Sequence, residues 1–302
     1  MLHDLKKDNL LGDLYRVRSN DFWAIEQLLK QKKPFIITNL SKDWKASKVW
    51  TLDYFNEATG KNIIHYVSMD EDSFTKYGNG QIQKMPFSNF IQELKKTMEN
   101  SAKNAPHLKK LYLIISRIAA HGNRPAPQLP ELLKDIQVPG FIPIHRLWTV
   151  NLWVGGGNNK SNLHFDPDHN LLVPIKGTKE LILISPSQTK FLYQNLNKNE
   201  NRLQSKVNIF KIEREKWPDI DRAFYYQTKV EEGEGLYIPS GWWHGVASSP
   251  GVNIAINFWW LPPPIHLLKI TNPARKIQWN LKKKWLSILF PSFISKHFKV
   301  PN

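Results

Sequence analysis

Two stretches decide the fold of this chain: Asn162-Leu163-His164-Phe165-Asp166 and, much later, Trp242-Trp243-His244. Residues i and i+2 of a β-strand point to the same face of its sheet, so His164 and Asp166 can direct two ligands at one point. His244 can add a third ligand from a distant strand. Two imidazoles and one carboxylate on one face of a metal form the triad that holds non-haem Fe(II) and leaves the opposite face open.

The residues around the triad strengthen the hypothesis of a metal site, because a bare His-x-Asp with a later His is a frequent chance match. Residues 233–244, GEGLYIPSGWWH, have the pattern of a turn, a buried strand and a second turn that presents His244 at a strand start. Asp168 and His169 follow the first pair, but Pro167 is expected to break the strand before them. We therefore expect both of these residues to lie in a loop.

From Leu147 to Leu261 short apolar runs alternate with turns, and several short strands at such spacing indicate an all-β barrel or sandwich. The runs that we expect to form strands are Trp148–Val154, Asn170–Ile175, Glu180–Ile184, Leu236–Ile238 and Val252–Trp260.

The first part of the chain predicts helices and strands that support this β region. A Pro-rich stretch, residues 121–143, is expected to be mostly loop and to form a lid or substrate wall. The other predicted elements are a helix at Asp21–Lys30 capped by Ser19 or Asn20, strands at 32–39 and 61–69, a helix capped by Thr51, a helix from Pro86 to Met98 beginning near Ser88, and a short helix at Glu131–Asp135.

The composition excludes some kinds of site. The chain has 302 residues and no cysteine, so disulfides, thiolate metal ligands and cysteine nucleophiles are excluded. The first residues are polar, and no run of about 18 apolar residues occurs, so we expect no secretory signal, no membrane span and a cytoplasmic protein. The net charge of +16 favours acidic partners, although a basic surface also serves general solubility.

The last residues, 269–302, form a basic tail with eight Lys or Arg and no Asp or Glu. Apolar positions between Arg275 and Phe290 predict one or two helices that Pro291 would end. Three functions remain open for this tail: a homodimer contact through its helices, binding to an anionic membrane surface, or contact with nucleic acid phosphates.

The order and spacing of several motifs resemble those of the cupin-like JmjC hydroxylases, especially the group that contains the asparaginyl hydroxylase of hypoxia-inducible factor and the tRNA wybutosine hydroxylase. This resemblance implies a mainly β double-stranded β-helix (jelly-roll or cupin) barrel with helical additions. The oxygenase domain would span 1–268, with its core barrel at about 147–261 and helix and strand support at 15–120. The motifs are 33–37, Trp44, Trp50, 111–113, 164–166, 170–172, 175–179, 237–239, 242–244 and 257–259.

The resemblance also implies a role for each matching residue. His164, Asp166 and His244 would bind Fe(II), with 2-oxoglutarate and O₂ as co-substrates. The residues implied to bind 2-oxoglutarate are Lys179, which would pair with its distal carboxylate, Tyr112, which would donate to that carboxylate, and Ser161, Asn170 and Asn257, which would line the pocket. Local sequence alone favours an exposed strand lysine at position 179, a core tyrosine at 112 and buried amides at 170 and 257.

The implied activity is that of an Fe(II)- and 2-oxoglutarate-dependent dioxygenase that hydroxylates an unactivated C–H bond, on a protein or peptide side chain. A small metabolite or a modified nucleoside is an alternative substrate, and a catalytically silent cupin-like binding protein is a third hypothesis. Ile114 stands where the asparaginyl hydroxylase has a Gln that holds the substrate amide, which argues against asparaginyl specificity. Zn and Ni cupins usually need further His or Glu ligands, so Fe(II) is the metal expected here.

Overall fold

The computed structural model describes residues 3–69, 82–102, 110–121, 125–197 and 203–262. The basic tail, with its predicted helices and its three possible partners, lies outside these residues. The strands in chain order are β1 (Leu10–Gly12), β2 (Arg16–Arg18), β3 (Phe35–Thr38), β4 (Ile63–Met69), β5 (Gln83–Pro86), β6 (Lys110–Ala120), β7 (Leu147–Gly157), β8 (Lys160–Phe165), β9 (His169–Lys176), β10 (Lys179–Ile184), β11 (Tyr225–Val230), β12 (Gly235–Ile238), β13 (Trp243–Ser248) and β14 (Pro250–Trp260).

Among the described residues, the α-helices belong to the first part of the chain, as predicted. They are α1 (Phe22–Gln31), α2 (Lys45–Val49), α3 (Leu52–Thr59) and α4 (Phe87–Ala102), with short 3₁₀ helices at Lys7–Asn9, Pro130–Asp135, Ile144–Arg146, Pro186–Phe191 and Pro218–Arg222. In the part of the chain that the structure describes, no helix is long and apolar enough to cross a membrane.

The two predicted helix caps have different outcomes. Thr51 caps α3 as predicted, because its hydroxyl accepts the backbone N–H of Tyr54. The predicted cap of α1 is wrong: Asp21, and not Ser19 or Asn20, accepts the N–H of Ala24 at 3.0 Å. Ser19 is engaged elsewhere, since its hydroxyl donates to the carbonyl of Asn39.

The eight strands from β7 to β14 are divided equally between two facing sheets, which is the arrangement of a jelly roll. The larger sheet has the order β2-β3-β12-β9-β14-β7-β6-β4-β5, and the smaller sheet has the order β1-β11-β10-β13-β8. The jelly-roll strands therefore lie as β12-β9-β14-β7 in one sheet and β11-β10-β13-β8 in the other. The predicted mainly β fold is confirmed, and the described strands form two sheets that do not close into one hydrogen-bonded barrel.

Strand alternation builds three apolar layers around these sheets. In β14, Ile254, Ile256 and Phe258 pack with α3 and α4 on the outer face of the larger sheet. In β10, Leu181 and Leu183 belong to the layer between the sheets, whereas Ile182 and Ile184 pack against the segment 205–223 on the far side. Both faces of the smaller sheet are thus covered, and its interior face is shielded from water.

The turn after β7 depends on a glycine, because it approaches the turn between β13 and β14 very closely. Gly157 has φ +98°, and a Cβ added there would lie 2.6 Å from the backbone N of Gly251 and 2.8 Å from the carbonyl oxygen of Ser249. Gly251 also has a positive φ of +80°, but a Cβ there would meet nothing within 4 Å. Both glycines therefore share the cost of a positive φ for any other residue, but only Gly157 adds the cost of steric overlap.

We expect Gly157→Ala to lower the free energy of unfolding by roughly 2 kcal/mol more than Gly251→Ala, because only the first adds a clash to the strain of a positive φ. Urea denaturation of the two variants measures this difference. Equal midpoints for both variants would contradict the close approach of the two turns.

Candidate metal centre

The two histidines of the predicted triad lie side by side on neighbouring strands. Strand β8 pairs with β13 in antiparallel register, and His164 stands directly opposite His244. Directly opposed residues in an antiparallel pair point to the same face. Their imidazole ring centroids are 4.2 Å apart, so both rings project into the space between the sheets.

Asp166 completes the cluster from the turn that follows β8. Its Oδ2 lies 3.7 Å from Nε2 of His244, and one ligand atom from each of His164, Asp166 and His244 lies within 4.8 Å of the others. Adjacent ligands of a metal are roughly 3 Å apart when each bond is about 2.1 Å long. A small inward movement would therefore bring all three atoms to bonding distance of one ion.

Backbone carbonyls fix the chemical form of both imidazoles. Nδ1 of His164 lies 2.7 Å from the carbonyl oxygen of Asn162, and Nδ1 of His244 lies 3.0 Å from that of Trp242. A carbonyl only accepts, so each Nδ1 carries a proton, and in the neutral tautomer that this selects the lone pair of Nε2 is left for a metal. Burial, together with the neighbouring His164, holds the pKa of His244 well below its usual value, which favours the neutral form that a metal requires.

Three hydrogen bonds join the turn that carries Asp166 to the turn that precedes His244. The N–H of Gly241 donates to the Asp166 carbonyl at 2.8 Å, and the hydroxyl of Ser240 donates to the Pro167 carbonyl at 2.8 Å. The N–H of Ser240 donates to Nδ1 of His169 at 3.2 Å. The expected loop position is therefore wrong for His169, which is buried, begins β9 and helps to hold the two ligand-bearing segments together.

A cavity of about 270 Å³ opens beside the triad. It is lined by all eight residues that the sequence analysis selected, together with apolar and aromatic side chains from both sheets. Asp168 lies in the loop between β8 and β9, as expected, and is buried in the wall of the cavity. The further lining residues are Ile115, Trp153, Phe165, Pro167, Leu172, Leu203, Ile238, Val246, Ala255 and Trp259.

Lys179 is buried at this cavity, which excludes the exposed strand lysine that local sequence favours. It is the first residue of β10, only 2% of it is exposed, and its Nζ donates to the hydroxyl of Ser248 at 2.7 Å. The same Nζ lies 5.6 Å from the centre of the Tyr112 ring. Burial lowers the pKa of Lys179 to about 7, and among the described residues no carboxylate forms an ion pair with it. Lys179 is thus buried at the cavity without an ion-pair partner among the described residues.

The remaining selected residues line the cavity, and one of them, Asn170, is hydrogen-bonded to the triad itself. The amide nitrogen of Asn170 donates to Oδ2 of Asp166 at 3.1 Å, and the amide nitrogen of Asn257 donates to Oδ1 of Asn170. Ser161 lies in the wall of the cavity on β8, opposite Val246 of β13.

Several functional residues were not selected from the sequence. Ser248 accepts a hydrogen bond from Lys179 and stands opposite it in the pairing of β10 with β13. This pairing joins residues far apart in the chain, so no local sequence pattern predicts it. Trp259 follows the same alternation as Ala255 and Asn257 on β14, so its position in the cavity wall was accessible from strand periodicity.

The jelly roll and its interior His, Asp and His cluster define a cupin-type protein that can hold a non-haem metal ion. Comparison with known families agrees, since residues 19–266 match the cupin-like domain. The chain belongs to this family, and its relatives identify the domain as the JmjC type of cupin. The JmjC proteins of this family are 2-oxoglutarate-dependent oxygenases.

Three relatives show the range of the similarity. "Lysine-specific demethylase JMJ31" of Arabidopsis thaliana is 28% identical over 75% of this chain and 46% of its own length. "Lysine-specific demethylase 8" of Danio rerio is 28% identical over 85% of this chain and 61% of its own length. "tRNA wybutosine-synthesizing protein 5" of Homo sapiens is 26% identical over 78% of this chain and 73% of its own length. The chain thus spans about half the length of several curated relatives that it matches.

We expect the protein to bind one equivalent of Co(II) or Mn(II). His244→Ala removes a direct ligand, so it should weaken this binding by more than the roughly 10–100-fold that is lost when a residue hydrogen-bonded to a ligand is removed. Calorimetric titration and the metal-induced rise in melting temperature measure the effect. His145→Ala is the matched control, because His145 is exposed on a 3₁₀ helix and should bind metal as the wild type does. Equal metal affinity in the two variants would contradict the triad.

Proposed function

We propose that the protein is an Fe(II)- and 2-oxoglutarate-dependent dioxygenase that hydroxylates an unactivated C–H bond, on a protein or peptide side chain. In this proposal His164, Asp166 and His244 bind the iron. The observation that carries the proposal is the buried Lys179 beside the triad, in one shared cavity. A metal triad alone fits many cupins, whereas an unpaired cation next to it selects an anionic organic ligand.

The surroundings of Lys179 support a carboxylate as its partner. A lysine that is fully buried without a counter-ion loses hydration, and this loss is what lowers its pKa to about 7. A carboxylate beside Nζ would restore the charged form, and the hydroxyl of Ser248 already orients the ammonium. Tyr112 and Ser161 are the cavity residues proposed to complete this subsite. 2-Oxoglutarate fits because its distal carboxylate reaches the lysine while its 2-oxo acid end can reach the metal.

The triad fits Fe(II) better than a closed structural ion. Three ligands from one side leave positions that face the cavity, as a redox site requires. When bound, Fe(II) supplies the chemistry that couples oxidative decarboxylation of 2-oxoglutarate to oxygen insertion into a C–H bond. The chain itself orients the two imidazoles through backbone carbonyls, places the co-substrate through Lys179, and surrounds the reacting atoms with aromatic walls that exclude water.

A protein or peptide substrate is preferred because two of the relatives are named as lysine-specific demethylases. A modified nucleoside is the second candidate, favoured by the net charge of +16 and by the relative named for tRNA wybutosine synthesis. A catalytically silent cupin is disfavoured, because such a protein has no need for a complete triad beside a buried lysine.

We expect purified protein to release succinate from 2-oxoglutarate only with Fe(II) and O₂, and His164→Ala to lose this turnover, because two ligands no longer hold the metal firmly. Succinate is measured by mass spectrometry, with His145→Ala as the active control. Metal binding by the wild type without any iron-dependent turnover would contradict the oxygenase. The substrate is then sought as a gain of one oxygen, about 16 Da, in separate peptide and RNA fractions of a cell extract.

We expect 2-oxoglutarate binding to the Mn(II)-loaded protein to weaken as the pH rises. The pKa of free Lys179 is about 7, and a bound carboxylate raises it, so binding above pH 7 requires uptake of a proton. The Kd should therefore rise by roughly tenfold per pH unit above about pH 7, until the pKa of the complex is reached.

Calorimetry in buffers of different ionisation enthalpy counts the protons taken up. Lys179→Arg is the matched variant, since its guanidinium stays protonated and its Kd should be independent of pH over the same range. A wild-type Kd as constant as that of Lys179→Arg would show that Lys179 is charged before the ligand arrives, or that it does not contact the ligand.

A further inference from the structure

A chain of buried amides leads from the larger sheet to the metal-binding carboxylate. Asn257 on β14 donates to Oδ1 of Asn170 on β9, and Asn170 donates at 3.1 Å to Oδ2 of Asp166. This Oδ2 is also the oxygen that lies 3.7 Å from Nε2 of His244. The amide chain therefore ends on the side of the carboxylate that faces the metal site.

The direction of every bond in this chain follows from the chemistry of Asp166. A carboxylate that binds a divalent ion is ionised and can only accept, so Asn170 must turn its NH₂ group toward it. The carbonyl of Asn170 then points toward Asn257, which must in turn present its own NH₂ group. The orientation of Asn257 thus determines which end of Asn170 faces the carboxylate.

Burial makes this orientation costly to change. Asn170 and Asn257 are 3% and 5% exposed, and a buried amide that loses its partner is not compensated by water. Both residues belong to strands that pair directly with each other, so their backbones are fixed. Asp166, by contrast, lies in a turn after β8 and depends on side-chain contacts for the angle of its carboxylate.

We infer that Asn257 is a positioning residue for the metal, which acts through Asn170 to orient the carboxylate of Asp166. This inference rests on the proposed metal site and assigns Asn257 a task other than contact with 2-oxoglutarate. An oxygen of Asp166 has two lone pairs, so it can accept the amide of Asn170 and bind an ion at the same time. The two roles differ in one consequence: only the positioning role affects metal binding before any co-substrate is present.

The test is the affinity for Co(II) in the absence of 2-oxoglutarate, measured by competition with a chelator and by the d–d absorption of the bound ion. Asn257→Asp keeps the volume but removes the donor, which forces Asn170 to reverse and present its carbonyl to Asp166. We expect Co(II) binding to weaken roughly tenfold, at the lower end of the effect of an outer-shell partner, with a shifted absorption band. Asn257→Ala removes the donor without adding charge and should weaken Co(II) binding in the same direction.

The matched control is Asn253→Asp, a buried amide on the same strand whose NH₂ group donates to the carbonyls of Ser249 and Gly251, away from the triad. It should leave Co(II) affinity within twofold of the wild type. In the double variant Asn170→Ala/Asn257→Asp, we expect no further loss of Co(II) affinity than in Asn170→Ala, because the effect passes through Asn170.

Several outcomes would overturn the inference. Unchanged Co(II) affinity in both Asn257 variants, with weaker 2-oxoglutarate binding, would assign Asn257 to the co-substrate instead. Additive losses in the double variant would show that Asn257 acts independently of Asn170. Failure of the wild type to bind Co(II) would overturn the metal site as well, whereas normal wild-type binding with unaffected variants would overturn the inference alone.

Discussion

The antiparallel pairing of β8 with β13 is the constraint on which the site depends. This register places His164 directly opposite His244 although the two residues are far apart in the chain. A shift of β8 by one residue relative to β13 would turn the imidazole of His164 to the outer face of the smaller sheet, where the apolar residues of 205–223 pack, and away from His244. The backbone N–H of Gly241 and the hydroxyl of Ser240 then tie the Asp166 turn to the turn before His244 through hydrogen bonds. The sheet therefore fixes the positions of the two histidines, whereas Asp166 is held by the hydrogen bonds that join these two turns.

The second constraint is electrostatic. The cavity between the sheets is lined by the two imidazoles and the carboxylate of the triad, by the buried Asp168, and by a lysine that forms no ion pair among the described residues. Such an arrangement is unfavourable when empty, and it is balanced when a divalent cation and a dicarboxylic acid are both bound. Binding of both ligands would therefore relieve the cost of burying Lys179 without an ion-pair partner. The burial of Lys179 therefore supports the proposed dicarboxylate co-substrate by a physical argument that does not depend on sequence similarity.

The triad could be predicted from the sequence because alternation within a strand brings His164 and Asp166 together and a turn precedes His244. Alternation could not decide the direction of Lys179, since Leu181 and Leu183 on one face of β10 are as apolar as Ile182 and Ile184 on the other. Its inward position was implied only by the resemblance to JmjC proteins. The loop expected at His169 was wrong because β9 begins soon after Pro167. The contact of Ser248 with Lys179 and the hydrogen bond from Asn257 to Asn170 depend on the register between strands that are distant in sequence. No local pattern in a single sequence predicts such a register.

The most direct measurement of the central claim is a crystal structure of the protein with Mn(II) and 2-oxoglutarate, with anomalous data collected at the manganese edge. The account predicts one strong anomalous peak, at roughly 2.0–2.3 Å from Nε2 of both histidines and a carboxylate oxygen of Asp166. It also predicts that the distal carboxylate of 2-oxoglutarate contacts Nζ of Lys179. A manganese ion bound elsewhere, or a co-substrate whose distal carboxylate lies away from Lys179, would contradict the account.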